Sequence, residues 1–338
     1  MSVDDPVVIT CSISGSIANR EQCPAIPYTP EEYASEARRI VDEGGVHIHI
    51  HARKPDGSPS YEIEDFVAIR DAIRGEVGDG VIINFSTGTV GVPVEKRIAY
   101  LEAGRPEVAA LNMGSMNYAK YSAKRRDFVF KFVFANPFDE IIELLEAMRR
   151  LQIKPEHECF DLGHVGSLVP LVDMGLLEAP LHADFVMGVV GGVPATARNL
   201  AAMAGNLFEI PGNPSEPAIA GDLSGGIPGN PSEPAIEGDL SRGIPLGEPS
   251  VPSRRQHHHW GVIGIGREQW MLVAAALTLG GSIRVGLEDN FYLPDGEMAR
   301  SNGDLIAKAR QLTEDLGRRP ATVHEARELL GITAPATA

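Results

Sequence analysis

Short apolar runs alternate with longer amphipathic stretches along most of the chain. Pro6–Ile13 has the unbroken apolar character of a buried strand. Thr29-Pro30-Glu31-Glu32 then carries the signals of a helix start: a capping hydroxyl, a proline suited to the first turn and a glutamate three residues after the cap. That helix is predicted to run to about Glu43, where Gly44-Gly45 ends it. The alternation continues with strands at Val46–Arg53, Val81–Ser86, Val108–Met113, Glu158–Leu162, Ala183–Val190, Trp260–Ile265 and Ser282–Leu287. Helices are predicted at Tyr61–Gly75, Val94–Ala103, Phe138–Leu151, Leu168–Leu177, Thr196–Ala204, Gln269–Thr278 and Asp304–Leu316. Phe128–Phe134 is an extra apolar stretch without an assigned role.

Strands that are apolar on both faces and alternate with helices imply a parallel sheet covered by helices. Eight strand–helix units favour closure into a (β/α)8 TIM barrel, a single domain over residues 1–338. An open dinucleotide-binding sheet would want a G-x-G-x-x-G turn early on. The first strand instead runs into Ser14-Gly15-Ser16.

One segment departs from the pattern. Ile210–Gly226 and Ile227–Gly243 are near copies that differ only at Ala220/Glu237 and Gly225/Arg242. Residues 205–255 hold 9 of the 25 prolines and a single aromatic, Phe208, so they are expected to form a flexible duplicated insertion between helix 6 and strand 7. A connection from a helix to the next strand lies at the N-terminal face of a barrel, so the insertion should spare chemistry at the opposite mouth.

The 338 residues carry 30 basic against 46 acidic side chains, a formal net charge of −16. That balance argues against a nucleic-acid backbone or an anionic membrane as partner. The longest apolar candidate, Met271–Leu279, is about half of the ~18–20 residues that span a bilayer. The first residues lack the basic start of a secretory signal. Cys11, Cys23 and Cys159 are too few and too scattered for a disulfide framework, which fits a reducing compartment. A cytoplasmic location is the resulting expectation.

The densest chemical signal is V-H-I-H-I-H-A-R, Val46–Arg53. On a strand, His47, His49 and His51 share one face, and the intervening Ile48, Ile50 and Ala52 suit the helix layer, so the histidines point inward. His49 and His51, about 7 Å apart along the strand, can converge on one ion at ~2.0–2.1 Å from each nitrogen. Hydrogen-bonded core histidines are the plainer alternative. His47 lies deeper and reads as a supporting residue. The strongest third ligand is Glu288 in R-V-G-L-E-D-N, Arg284–Asn290, at the end of the last strand. There a carboxylate pair beside Arg284 offers a ligand, a base in Asp289 and a cationic anchor. A capping turn with a solvated Arg–Asp pair explains the same residues without chemistry. Asn84–Thr89 and Leu111–Asn117 close two other strands with small polar groups suited to a carboxylate, carbonyl or phosphate. His257-His258-His259 falls at the start of the seventh strand and is given no site role.

With H-I-H-A-R, N-F-S-T-G, N-M-G-S-M-N, F-D-L-G-H, G-V-V-G-G-V-P-A-T, G-I-G-R-E-Q and R-V-G-L-E-D-N in this order, the chain resembles the β-keto acid cleavage enzymes from about Val7 to Leu316, the insertion excepted. The resemblance implies an oligomeric (β/α)8 barrel with a catalytic zinc on His49, His51 and Glu288. It also implies a base at Asp289, a substrate arginine at Arg284 and strand-end substrate contacts at Ser86, Ser115 and Asn117. The implied reaction is acyl transfer: a β-keto acid and acetyl-CoA give acetoacetate and a new acyl-CoA. Members acting on an amino-bearing substrate resemble G-A-E after the first strand, whereas this chain has Gly15-Ser16-Ile17, which argues against a cationic substrate.

Two other readings remain at this point. A hydrolase of the amidohydrolase type also uses H-x-H, with His164, His182 and Asp289 as further groups, but there H-x-H lies on the first strand rather than the second. A non-catalytic barrel that binds a partner through the proline-rich loop would hold no metal.

Overall fold

The computed structural model describes residues 2–210 and 258–332. In chain order its elements are β1 (Ile9–Ser12), α1 (Pro30–Asp42), β2 (His47–Ile50), α2 (Ile63–Val77), β3 (Ile82–Ser86), α3 (Val94–Gly104) and β4 (Val108–Asn112). Then come β5 (Met116–Ser122), β6 (Asp127–Phe134), α4 (Phe138–Leu151), β7 (Lys154–Cys159), α5 (Leu162–Gly166), α6 (Leu168–Asp173), β8 (His182–Met187) and α7 (Ala197–Phe208). The chain closes with β9 (His259–Gly264), α8 (Gln269–Thr278), β10 (Ser282–Val285), α9 (Asn302–Asp315) and α10 (Val323–Leu330).

Eight of these strands form a closed barrel in the order β1-β10-β9-β8-β7-β4-β3-β2, all pairs parallel, so the fold is the (β/α)8 barrel that the alternation predicts. Local signals match the predicted starts. Thr29 caps α1, with Glu32 closing a capping box, and Thr196 caps α7 by accepting from the Asn199 amide.

Period two on each strand divides the side chains between two environments. Outward residues such as Ile48, Ile50, Phe85, Phe185, Trp260 and Val285 join the helices in one large apolar core. Inward residues are unusually polar for a fold whose interior is commonly filled by Val, Ile and Leu. His47 and His182 lie 5.8 Å apart by ring centroids, and Asn84 donates to Glu156 at 2.7 Å. These pairs join strands that are not neighbours in the barrel, so the contacts cross its interior. At the N-terminal end α10 closes the barrel, where Ala326 and Leu330 pack with Val8, Val46, Ile82 and Val108.

Several expectations are corrected. The strand placed at Glu158–Leu162 begins at Lys154 and ends at Cys159, which brings both Glu156 and Glu158 inside the barrel. The helix expected at Leu168–Leu177 is the short α6, Leu168–Asp173, preceded by a separate short helix, α5, at Leu162–Gly166. Phe128–Phe134 lies within β6, which pairs antiparallel with β5 as a hairpin outside the barrel. Residues 205–208, assigned to the insertion, are the last turn of α7, and residues 211–255 of it lie outside the described residues. Among the described residues no helix is long and apolar enough to cross a membrane.

Candidate active site and metal centre

The C-terminal ends of β1, β2, β7 and β10 converge on one group of side chains. Register explains why: Ser12 pairs with His49 across β1 and β2, and Thr10 pairs with Arg284 across β1 and β10. After β10 the backbone turns sharply at Gly286, whose φ of +153 is open to glycine and strained for other residues. A Cβ there would come within 2.1 Å of the Ser12 carbonyl oxygen, so only glycine lets the two strand ends meet. Gly15, at φ +63, likewise lies under Glu288, whose Cγ would stand 2.6 Å from an added Cβ.

The three expected ligands come together. His51 Nε2 lies 3.4 Å from one Glu288 oxygen and His49 Nε2 lies 3.8 Å from the other. One ligand atom from each of the three lies within 4.8 Å of the others. Whether the set suits a divalent cation is tested by Glu288 Oε2, which is buried and has no hydrogen-bond partner while facing His49 Nε2. A cation seated among these atoms would satisfy that oxygen, and the donor set of two imidazoles and one carboxylate is one that zinc accepts. Burial, helped by the charge on Arg284, holds the His49 imidazole neutral, as a ligand must be. Burial disfavours charge on Glu288 too, but Arg284, His51 and His49 outweigh it and keep the carboxylate ionised.

Arg284 organises the rest. Its Nε and Nη2 donate to the two oxygens of Asp289 at 3.0 Å, Nη2 also reaches Glu288 at 2.9 Å, and Nη1 reaches Glu158 at 3.1 Å. Burial works against the guanidinium charge, and Asp289, Glu288 and Glu158 together more than restore it. Ser12 Oγ donates to Asp289 Oδ2 at 2.6 Å. Burial, with Glu288 adding to it and Arg284 opposing, pushes the Asp289 carboxyl up to about 6.

Ser86 is buried at the end of β3, where its hydroxyl accepts from the Gly88 amide at 3.2 Å. Ser115 Oγ accepts from the Asn136 amide at 2.7 Å and so ties the two feet of the hairpin together. Asn117 is exposed on β5, its carbonyl packed so tightly under Gly191 that a Cβ there would lie 1.8 Å away. Among the described residues no hydrogen bond joins Ser86, Ser115 or Asn117 to the carboxylate cluster.

Two groups escaped the sequence reading. Glu158 is held by Arg284, and burial pushes it up to about 7 against that arginine's pull, so it can exchange a proton near neutrality. Tyr118 rises to about 12 through burial first and then the nearby charges of Glu288, Asp289 and Glu158, which puts the foot of the hairpin within electrostatic reach of the site. The alternation Glu156/Glu158 was the available signal for the first. One layer deeper, His47, Glu156, His182, Asp184 and His259 fill the barrel. His182 Nε2 lies 3.8 Å from Glu156 and 3.5 Å from Asp184, and the His182 and His259 rings are 5.2 Å apart. His182 therefore belongs to this lower layer and His164 to α5, where its ring accepts from the Phe160 amide.

A closed parallel barrel with imidazoles, carboxylates and an arginine gathered at the C-terminal mouth has the layout of a barrel enzyme. Comparison with known proteins narrows the class. The family of beta-keto acid cleavage enzymes matches residues 6–222 and 224–332, and the chain belongs to that family. It is 32% identical over 329 residues to the 3-keto-5-aminohexanoate cleavage enzyme of Acetoanaerobium sticklandii, covering 97% of this chain and 99% of that protein. It is 30% identical over 348 residues to the 3,5-dioxohexanoate:acetyl-CoA acetone transferase of Paraburkholderia graminis, covering 98% and 97%. Among solved structures, the apo form of ObcA superposes with a TM-score of 0.64 at 19% identity, over 91% of this chain and 66% of ObcA, a likeness of fold.

Proposed function

We propose that the protein is an acyltransferase that converts a β-keto acid and acetyl-CoA into acetoacetate and a new acyl-CoA. Family membership and the relatives' named activities support the reaction class. The observation that carries the site assignment is the meeting of His49, His51 and Glu288 beside an Asp289 that Arg284 and Ser12 hold in place.

His49, His51 and Glu288 would hold one divalent cation, zinc by the family resemblance, which supplies Lewis acidity toward the oxygens of a bound keto acid. Asp289 is the base in this scheme. It removes a proton from the carbon between the keto and carboxylate groups, and Arg284 and Ser12 fix the oxygens that receive it. That carbon forms a bond to the acetyl carbonyl carbon, and the thioester C–S bond breaks to release the CoA thiolate. The thiolate then attacks the original keto carbon and the old carbon–carbon bond breaks. Asp289 returns its proton to the carbanion that leaves as acetoacetate, and the distal acyl group departs as acyl-CoA. Arg284 acts here as a positioning residue, because its donors are engaged by three carboxylates. Ile17, 59% exposed on the loop after β1, brings no negative charge to the mouth, so an uncharged distal group on the keto acid is favoured.

The test is an assay of the purified, metal-supplemented protein with acetyl-CoA and a panel of β-keto acids. Equimolar acetoacetate and acyl-CoA is the expected outcome. Hydrolysis of the keto acid with acetyl-CoA left intact would overturn the proposal.

A further inference from the structure

The hairpin of β5 and β6 rises from the barrel mouth between β4 and α4. One of its faces carries the cross-strand pairs Met116–Phe134, Tyr118–Phe132 and Lys120–Phe130. Tyr118 stacks on Phe132 at 5.3 Å and on Phe130 at 6.2 Å, and meets the edge of Phe160 at 6.4 Å. Phe160 directly follows β7, the strand that supplies Glu158. An aromatic track thus runs from the site outward along the hairpin.

The far end of the track is basic. Lys120, Lys124, Arg125, Arg126 and Lys131 are all exposed, and among the described residues none forms a salt bridge. Asp127 is the only acidic residue between Ser115 and Pro137, in a chain whose net charge is −16. Lys131 lies over the Phe128 ring at 5.4 Å from its centroid, and such a cluster of cations without carboxylate partners is unexplained by the fold. Beside it Tyr121 and Phe128 are 49% and 41% exposed and meet edge to face at 5.7 Å. Seven strand residues give the hairpin a reach of about 20 Å from its foot.

We propose that this hairpin is the docking arm for the nucleotide end of coenzyme A. Its phosphates are held by the basic turn Lys124-Arg125-Arg126, and its pantetheine arm lies along the aromatic track into the mouth. The complementarity is specific in kind: phosphates need cations, an apolar-rich flexible chain suits the Tyr118–Phe132–Phe130 face, and adenine can stack on an exposed ring. An otherwise acidic protein also gains a local positive potential that draws a polyanion toward its site. The inference rests on the reading above that acetyl-CoA is the co-substrate.

The test neutralises the turn by the combined substitution Lys124→Ser, Arg125→Ser, Arg126→Ser. The KM for acetyl-CoA should rise about tenfold, given exposed charge pairs of modest individual strength, while the KM for the keto acid and kcat stay put. With acetyl-pantetheine, which lacks the nucleotide, wild type and variant should behave alike. An unchanged KM for acetyl-CoA would overturn the proposal. So would a variant whose assembly mass changes and whose two KM values shift together, since the arm would then be a subunit contact. Calorimetric titration of 3′,5′-ADP separates this inference from the reaction itself. Binding by wild type that the variant weakens supports the arm even without acetoacetate formation. A wild type that makes acetoacetate and does not bind 3′,5′-ADP refutes the arm alone.

Discussion

Single atoms decide whether this barrel mouth works. Asp289 is gripped by Ser12 and by Nε and Nη2 of Arg284, so replacing it with Asn removes the proton acceptor and leaves most of the scaffold in place. Turnover of Asp289→Asn should fall by about 10²–10⁴-fold with metal content preserved, read by steady-state assay and metal analysis on the same sample. Gly286→Ala tests the backbone. A methyl group 2.1 Å from the Ser12 carbonyl must push β10 away from β1 and carry Glu288 and Asp289 with it. Weaker metal retention together with a stability loss of about 1–3 kcal/mol is expected from metal titration and thermal melting. At this scale much was legible in advance. His49, His51, Arg284, Glu288 and Asp289 could be placed because period two and the ends of barrel strands fix where side chains face. Ser12 was not, because a lone serine in an apolar strand carries no signal until the partner 277 positions away is known.

At the scale of elements, the misreadings share a cause. β7 reads Lys-Pro-Glu-His-Glu-Cys, and a search for apolar runs passes over it because the barrel interior it faces is polar. Pro155, in the same strand, is also a residue that central strands disfavour. The hairpin was hidden because its turn, Ala123-Lys124-Arg125-Arg126, lacks the usual Asn-Gly or Asp-Gly pair, and Arg126 itself takes the left-handed conformation at φ 53. β7 also yields a pH prediction. His157 faces the helix layer, where its Nδ1 contacts the His182 carbonyl at 2.7 Å, and burial pushes it down to about 3. Its folded pKa lies below the ordinary value near 6.5, so the unfolded chain takes up the proton first. The associated stability is therefore complete above about pH 6.5 and is lost as pH falls toward 3. In His157→Gln, the unfolding free energy should depend on pH less steeply across that window, by about 1.4 kcal/mol per unit, as urea titrations at several pH values would show. An unchanged slope would mean that His157 is protonated in the folded protein.

For the whole molecule, the barrel is expected to stand without the insertion. The chain leaves the described barrel at Ile210 and returns at His258, and these two ends are bonded: His258 Nε2 donates to the Ile210 carbonyl at 3.0 Å, while Nδ1 accepts from the Leu181 amide at 3.1 Å. Leu181 directly precedes β8, so this junction sits at the N-terminal face, away from the site. Replacing residues 212–256 by a short Gly-Ser linker should leave turnover within about twofold and the melting temperature within a few degrees. A collapse of either would show that the duplicated segment supports the barrel. The alternation of strands and helices revealed this architecture, whereas α10 went unread because it follows the last barrel unit and closes the floor of the fold.

We propose that His49, His51 and Glu288 share one divalent cation on which acyl transfer depends. Metal content per chain and acetoacetate formation from acetyl-CoA, measured side by side on wild type and Glu288→Ala, test it most directly. About one zinc-like ion per chain with transfer activity is expected in the wild type, and loss of both in the variant. Full transfer by a Glu288→Ala protein stripped of metal would contradict it.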